Sequence, residues 1–154
     1  MANIYKQAQG SKHFNRNVEL SKGAALVHDG AYVSESASIV LTANATCIDQ
    51  NIYVAGRRMK VVGISEVHTT AGTDAGTVSL TLKKCTGTTA PASGTALHST
   101  VINLKGTAQT VQSPALTDVE STLTLEPGDR LGLDFTGTIT TLAGVCVTVD
   151  LIPA

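Results

Sequence analysis

Alternation of apolar and polar positions marks out residues 59–85, MKVVGISEVHTTAGTDAGTVSLTLKKC, as two strands around a loop. In its second half Val78, Leu80 and Leu82 alternate with Ser79, Thr81 and Lys83, the period of two that a strand shows when one face is buried. The connection at 71–76, AGTDAG, carries two glycines that can take positive φ without a Cβ penalty. The stretch therefore predicts a β-hairpin, with strands at 60–70 and 77–85 around a tight loop. The first of these has mixed parity: Val61, Val62, Ile64 and Val67 cannot all face one side without a bulge near Ser65 and Glu66. Such a strand is either irregular or buried on both faces. On that ground Val61, Ile64 and Val67 are candidates for an oligomer interface.

The rest of the chain repeats the strand signal. Short candidates lie at 22–27 and 37–41, and a longer one at 46–54, where Ile48, Ile52 and Val54 share parity and are expected to face inward. Residues 86–96, TGTTAPASGTA, lack apolar periodicity and predict an exposed loop. A strand is expected at 97–104, a short extended piece at 110–112, and a helical turn at 114–119 with Pro114 near its start. The last third is the most regular. Leu123 and Leu125 precede a Glu126-Pro127-Gly128-Asp129 turn, then Leu131, Leu133 and Phe135 alternate, and Val145, Val147, Val149 and Leu151 close the chain. About eight strands with almost no helix define an all-β class, a sandwich or closed barrel, and exclude doubly wound α/β folds.

With 154 residues the chain is long enough for one ordinary core without disulfide or metal staples. Only 15% of residues are charged, 3% are aromatic, and tryptophan is absent. A net charge of −1 gives no global field for a phosphate backbone, so nucleic acid is not expected as a partner. Cys47, Cys85 and Cys146 are odd in number and widely spaced, which argues for thiols rather than a disulfide framework or zinc site. No apolar run approaches a bilayer span, and the N-terminus lacks the apolar core of a secretion signal, so no membrane association is expected.

Composition also divides the chain. The first threonine is Thr42, and the first 22 residues carry Lys6, Lys12, Arg16 and Lys22 against Glu19 alone. Residues 1–34 are accordingly expected to form a partly extended N-terminal arm, and residues 35–154 the β-sandwich. The arm is either a soluble tail or a docking segment whose charge and scattered apolar residues, Phe14 among them, order on a partner. Arg57 and Arg58, at the turn after 46–54, would supplement such docking to an acidic surface.

A search for catalytic chemistry finds little. There is no G-x-S-x-G elbow, no phosphate loop around Gly72 and Gly76, and no convergent metal-ligand spacing. His13, His28, His68 and His98 are isolated, and Asp118 with Glu120 or Glu126 with Asp129 suit turns and surface. No enzymatic activity and no cofactor are expected.

The runs VVGISEVHTTAGTDAGTVSLTLKKCTGTTAPASGTAL and LEPGDRLGLDFTGTITTLAGVCVTVDL together resemble the jelly-roll capsid decoration proteins of tailed bacteriophages, also called cement or auxiliary head proteins. The resemblance spans residues 61–152 and lies in strand pattern and turn phrasing. It implies a jelly-roll-like antiparallel sandwich, a homotrimer, and a place on the outer capsid surface of a virion, where the trimer binds the major capsid protein and bridges capsomers. Docking would then fall to Lys6, Lys12, Phe14, Arg16, Lys22, Arg57 and Arg58, an assignment made from charge and composition. The competing expectation is a phage fibre or adhesion module that offers its 72–76 or 86–95 loop to a host glycan or receptor.

Overall fold

The computed structural model describes residues 27–28, 31–32, 35–41 and 49–154. Eleven strands, one short α-helix and a 3-10 turn at Pro91–Ser93 are assigned among them: β1 (Val27–His28), β2 (Ala31–Tyr32), β3 (Glu35–Leu41), β4 (Asp49–Val54), β5 (Met59–Val67), β6 (Ser79–Cys85), β7 (Thr95–Ala96), β8 (Ile102–Asn103), α1 (Glu120–Leu123), β9 (Thr124–Leu125), β10 (Arg130–Thr136) and β11 (Val145–Pro153). β1 and β2 pair with each other. The remaining strands form two antiparallel sheets, one ordered β3-β11-β5-β9, the other β4-β10-β6-β7 with β8 also on β6. Since β7 and β8 are both antiparallel to β6, they are two fragments of one interrupted edge strand. The sandwich thus has eight strand positions.

The chain crosses between sheets at almost every connection, and only β6 to β7 stays within one. That alternation, with two four-position sheets, is the double Greek key of a jelly roll. It also corrects the expected hairpin: β5 pairs with β11 and β9, β6 pairs with β10, and the two face each other across the interior. The 68–78 connection is an arch whose backbone groups bond elsewhere. Thr69 and Thr70 N–H donate to Ala143 O at 3.1 Å, Gly72 N–H donates to Leu104 O at 2.9 Å, and Thr73 N–H donates to Thr141 Oγ1 at 2.7 Å.

The mixed parity of β5 comes from a bulge, three residues earlier than expected. Asp150 faces Gly63 while Leu151 faces Val61, leaving Val62 as the extra residue. Gly63 fits there because a Cβ would collide with the Asp150 carboxylate. Val61 before the bulge and Ile64 after it both point into the core and are buried, whereas Val62 is turned outward. Val61 and Ile64 therefore have no surface to offer a partner, and their place in the oligomer-interface expectation is withdrawn. Val67 lies on the outer face and is half-buried.

Other expected core positions are found there: Val78, Leu80, Leu82, Leu131, Leu133, Phe135, Val145, Val147, Val149 and Leu151 join one buried cluster. In β4 a second bulge, between Leu131 and Gly132 of its partner, shifts the faces. Tyr53 and Ile52 pack against the core and Val54 is exposed, opposite to the parity expected for Val54. The expected strand at 97–104 is broken because His98 turns inward. The expected turn at 114–119 is not helical; the helix begins at Glu120.

Candidate docking surface

Register places the turns between the described strands at two ends. Val54, Arg130 and Cys85 lie level with one another, as do Met59, Pro153 and Leu125. The 55–58 turn, the 126–129 turn, the 86–94 connection and the C-terminal residues therefore share one end. β3 begins at that end too: Glu35 faces Leu151, which in turn faces Val61. The segment preceding residue 35 thus joins the sandwich at the end that bears Arg57 and Arg58. Lys6, Lys12, Phe14, Arg16 and Lys22 lie outside the described residues.

This end is built rigidly. Gly128, at φ 93°, closes the Glu126–Asp129 turn, in which Asp129 N–H donates to Glu126 O at 2.9 Å and Glu126 N–H donates to Asp129 Oδ2 at 2.9 Å. Two backbone bonds of 2.8 Å, Ala55 N–H to Asp129 O and Gly128 N–H to Ala55 O, clamp that turn to the 55–58 turn. The Lys84 ammonium sits beneath, 3.2 Å from Asp129 Oδ2 and bonded to the carbonyls of Ser121 and Thr124. The Arg130 guanidinium donates to Gly87 O and Thr89 O, both at 2.9 Å, and fixes the 86–94 connection.

On this frame Arg57 and Arg58 are exposed. Arg58 Nε pairs with Glu126 Oε1 at 3.1 Å, and Lys60 pairs with Glu120 at 2.8 Å. Both Arg58 and Glu126 side chains are 59% exposed, so their pair contributes little to stability and is open to exchange for a partner's carboxylate. The opposite end differs. Its loops at 69–78, 104–113 and 137–144 carry only Asp74 and Lys105 as charged residues. Thr140 Oγ1 donates to Asp74 Oδ1 at 2.6 Å and Thr141 Oγ1 to Oδ2 at 3.0 Å, bonds that hold its carboxyl below the usual carboxylate range. Lys105 donates to Asp74 O and Gly76 O.

One buried polar cluster was not anticipated from the sequence. Glu66 and His68 project inward from β5 beside Ile64, with side chains that expose no surface and His68 Nδ1 3.0 Å from Glu66 Oε1. Gln112 Nε2 donates to Glu66 Oε2 at 2.9 Å, and His68 Nε2 lies 3.3 Å from Gly106 O. Burial is the main effect on Glu66 and pushes its carboxyl up, although His68 and Gln112 act in the other direction. The signal was available: Ile64, Glu66 and His68 share parity, so two ionisable groups fall on the core face. Without solvent access the pair has no route to a substrate, and its bonds fasten the 103–112 segment to β5.

Among the described residues no group of three His, Cys, Asp or Glu side chains could hold a metal ion. No helix there is long and apolar enough to cross a membrane. Cys85 is buried, which pushes its thiol up, and Cys146 is half-buried; Cys47 is outside the described residues.

No protein-family model and no curated protein matches the chain. Among solved structures, a chain of the cyanophage Pam1 capsid asymmetric unit is similar over 88% of this chain and 98% of that one, with a TM-score of 0.50 and 15% identity. A chain of the Bacillus endospore appendages, described as disulfide-linked pili, is similar over 79% of this chain and 88% of that one at 20% identity, with a TM-score of 0.37. The first likeness is one of fold. The second is too loose to bear on fold or role.

Proposed function

We propose that this chain is a structural virion protein, a capsid decoration protein that binds the outer surface of a phage capsid as a homotrimer and stabilises it by bridging capsomers. The observation that carries the reading is the convergence of the 1–34 segment's attachment point with the exposed Arg57 and Arg58 at one end of the sandwich. A capsid setting is supported by the fold shared with a chain of the Pam1 capsid, 98% of which is covered. In this reading the basic arm and the Arg57-Arg58 turn grip acidic surface on the major capsid protein. Three such ends in one trimer turn weak individual contacts into tight binding through effective concentration.

Deletion of residues 1–22 tests this directly. The shortened chain should keep its fold and oligomeric state yet lose most of its co-sedimentation with undecorated capsids. Sedimentation equal to that of the full chain would remove the arm from the docking role.

A further inference from the structure

Glu66, His68 and His98 are buried ionisable side chains, and all three fasten one excursion of the chain, residues 97–117. One side of the excursion lies against β6. There Leu97 N–H donates to Leu82 O at 3.0 Å, and Leu82 N–H donates to His98 Nε2 at 2.9 Å. The 115–117 run hangs on this side in turn, with Thr117 N–H bonded to Leu97 O and Ser99 N–H to Ala115 O. The other side lies against β5. Gln112 Nε2 bonds to Glu66 and Gly106 O meets His68, while Gln109 N–H donates to His68 O and Gln112 N–H to Glu66 O, both at 2.8 Å. Between the two sides the excursion is thinly packed: residues 100–102 and 112–114 leave a shallow depression, and Val101 and Val111 are exposed.

The two histidines need opposite protonation. His98 has an acceptor, Thr100 O, at Nδ1 and a donor, the Leu82 N–H, at Nε2, so only the neutral ring satisfies both. His68 has acceptors at both nitrogens, Glu66 Oε1 and Gly106 O. With Gln112 donating to Glu66 Oε2, that cluster is complete when one proton lies between Nδ1 and Oε1 and another sits on Nε2. Mild acid thus removes a bond on the β6 side and supplies what the β5 side uses. Charged neighbours are engaged elsewhere. On β6, Lys83 pairs with Asp134 and Lys84 with Asp129, and burial pushes the Cys85 thiol up; Asp118, after the 115–117 run, is exposed. Around β5, Lys60 pairs with Glu120, Asp150 of β11 lies beside Gly63, Cys146 is half-buried, and Lys105 is tied to the Asp74 and Gly76 carbonyls.

We propose that residues 97–101 and 113–117 form an acid-opened flap: protonation of His98 releases it from β6, while the Glu66–His68–Gln112 cluster keeps residues 103–112 on β5 as its hinge. β7 and β8 bracket the flap with two residue pairs each. Opening bares the β6 edge at Leu82 together with Leu97, both of which expose no surface in the closed form. The device stands independently of the capsid reading.

Amide exchange of the full chain, followed by NMR at pH 7.5 and 5.0 and corrected for the chemical exchange rate, tests it. Opening at the Leu82 and Leu97 amides should rise about ten-fold at the lower pH, while Gln109 and Gln112 keep their protection. His98→Gln, whose amide can accept from Leu82 and donate to Thr100 O without titrating, should abolish the rise. In the wild type the rise should follow protonation of the His98 ring, read from its ring-nitrogen shifts, which decides the matter even for a variant that does not fold. Unchanged protection at Leu82, equal loss at Gln109 and Gln112, a rise that does not track His98, or the same rise in His98→Gln would each overturn the flap.

Discussion

The Leu82 backbone N–H donates to His98 Nε2 at 2.9 Å, so an imidazole occupies a place that a backbone carbonyl would fill in an uninterrupted ladder. His98 Nδ1 lies 2.6 Å from Thr100 O, an acceptor, which fixes the proton on Nδ1 and leaves Nε2 as the lone pair. The ring is neutral in this arrangement, and a second proton would set two donors against each other.

Burial lowers the His98 pKa from its ordinary value of 6.5, more than the Thr100 bond raises it. Below 6.5 the unfolded chain therefore binds more protons than the folded one. His98's contribution to stability is present above that pH and is lost as pH falls toward the lowered folded value. Denaturant melts from pH 7.5 to 5 should show this decline. His98→Ala should lower stability by about 2 kcal/mol at pH 7.5, leaving the Leu82 donor orphaned, and should weaken the slope.

Glu66 has the opposite sign. Its folded pKa is raised above 4.5, so its favourable contribution is complete below 4.5 and declines as pH rises through the folded value. Glu66→Gln can keep the cluster intact, with the new amide donating to His68 Nδ1 and accepting from Gln112 Nε2, while Nε2–H of His68 donates to Gly106 O. We expect this variant within about 1 kcal/mol of wild type and without the Glu66 part of the pH slope. Glu66→Ala should cost about 3 kcal/mol and increase amide exchange at residues 103–112.

Leu80 and Leu133 face the interior from adjacent strands and expose no surface. Leu80→Asp or Leu133→Asp should abolish folding by burying an unpaired charge, and Leu→Ala at either should cost about 3 kcal/mol. Circular dichroism and urea titration measure both; a folded Asp variant would mean the strand faces are reversed.

Two glycines with nearly equal backbone geometry separate strain from collision. Gly137 and Gly76 have φ of 89° and 81°. A Cβ on Gly137 would strike the Thr77 carbonyl oxygen, while one on Gly76 meets nothing. Gly76→Ala should cost about 1 kcal/mol and Gly137→Ala at least about 3 kcal/mol in the same urea assay.

Strand content was legible because period-two alternation reports which face is buried. It does not report which sheet a strand belongs to. Val78, Leu80 and Leu82 bury one face in a hairpin and in an arch alike, so the pairing of β5 and β6 was misjudged while their core residues were found. Parity was misleading where a bulge slipped the register, at Val62 and again near Ile52, since one extra residue reverses every position beyond it. Of the residues proposed for docking, Arg57 and Arg58 were recognisable as a cationic turn. Their position beside the arm's attachment point was not, because it depends on the pairing of β3 with β11, more than a hundred residues away.

That pairing has a kinetic consequence. The first strand of its sheet, β3, finds its partner only in β11, the last strand of the chain. During synthesis β3 must wait for residues 145–153 to emerge before its ladder can form, and closing so large a loop makes the step slow. A chain stopped before Val145 would leave β3 and β5 without the strand between them, exposing two edges of unpaired backbone groups, so aggregation of nascent or truncated chains is the characteristic hazard of this fold.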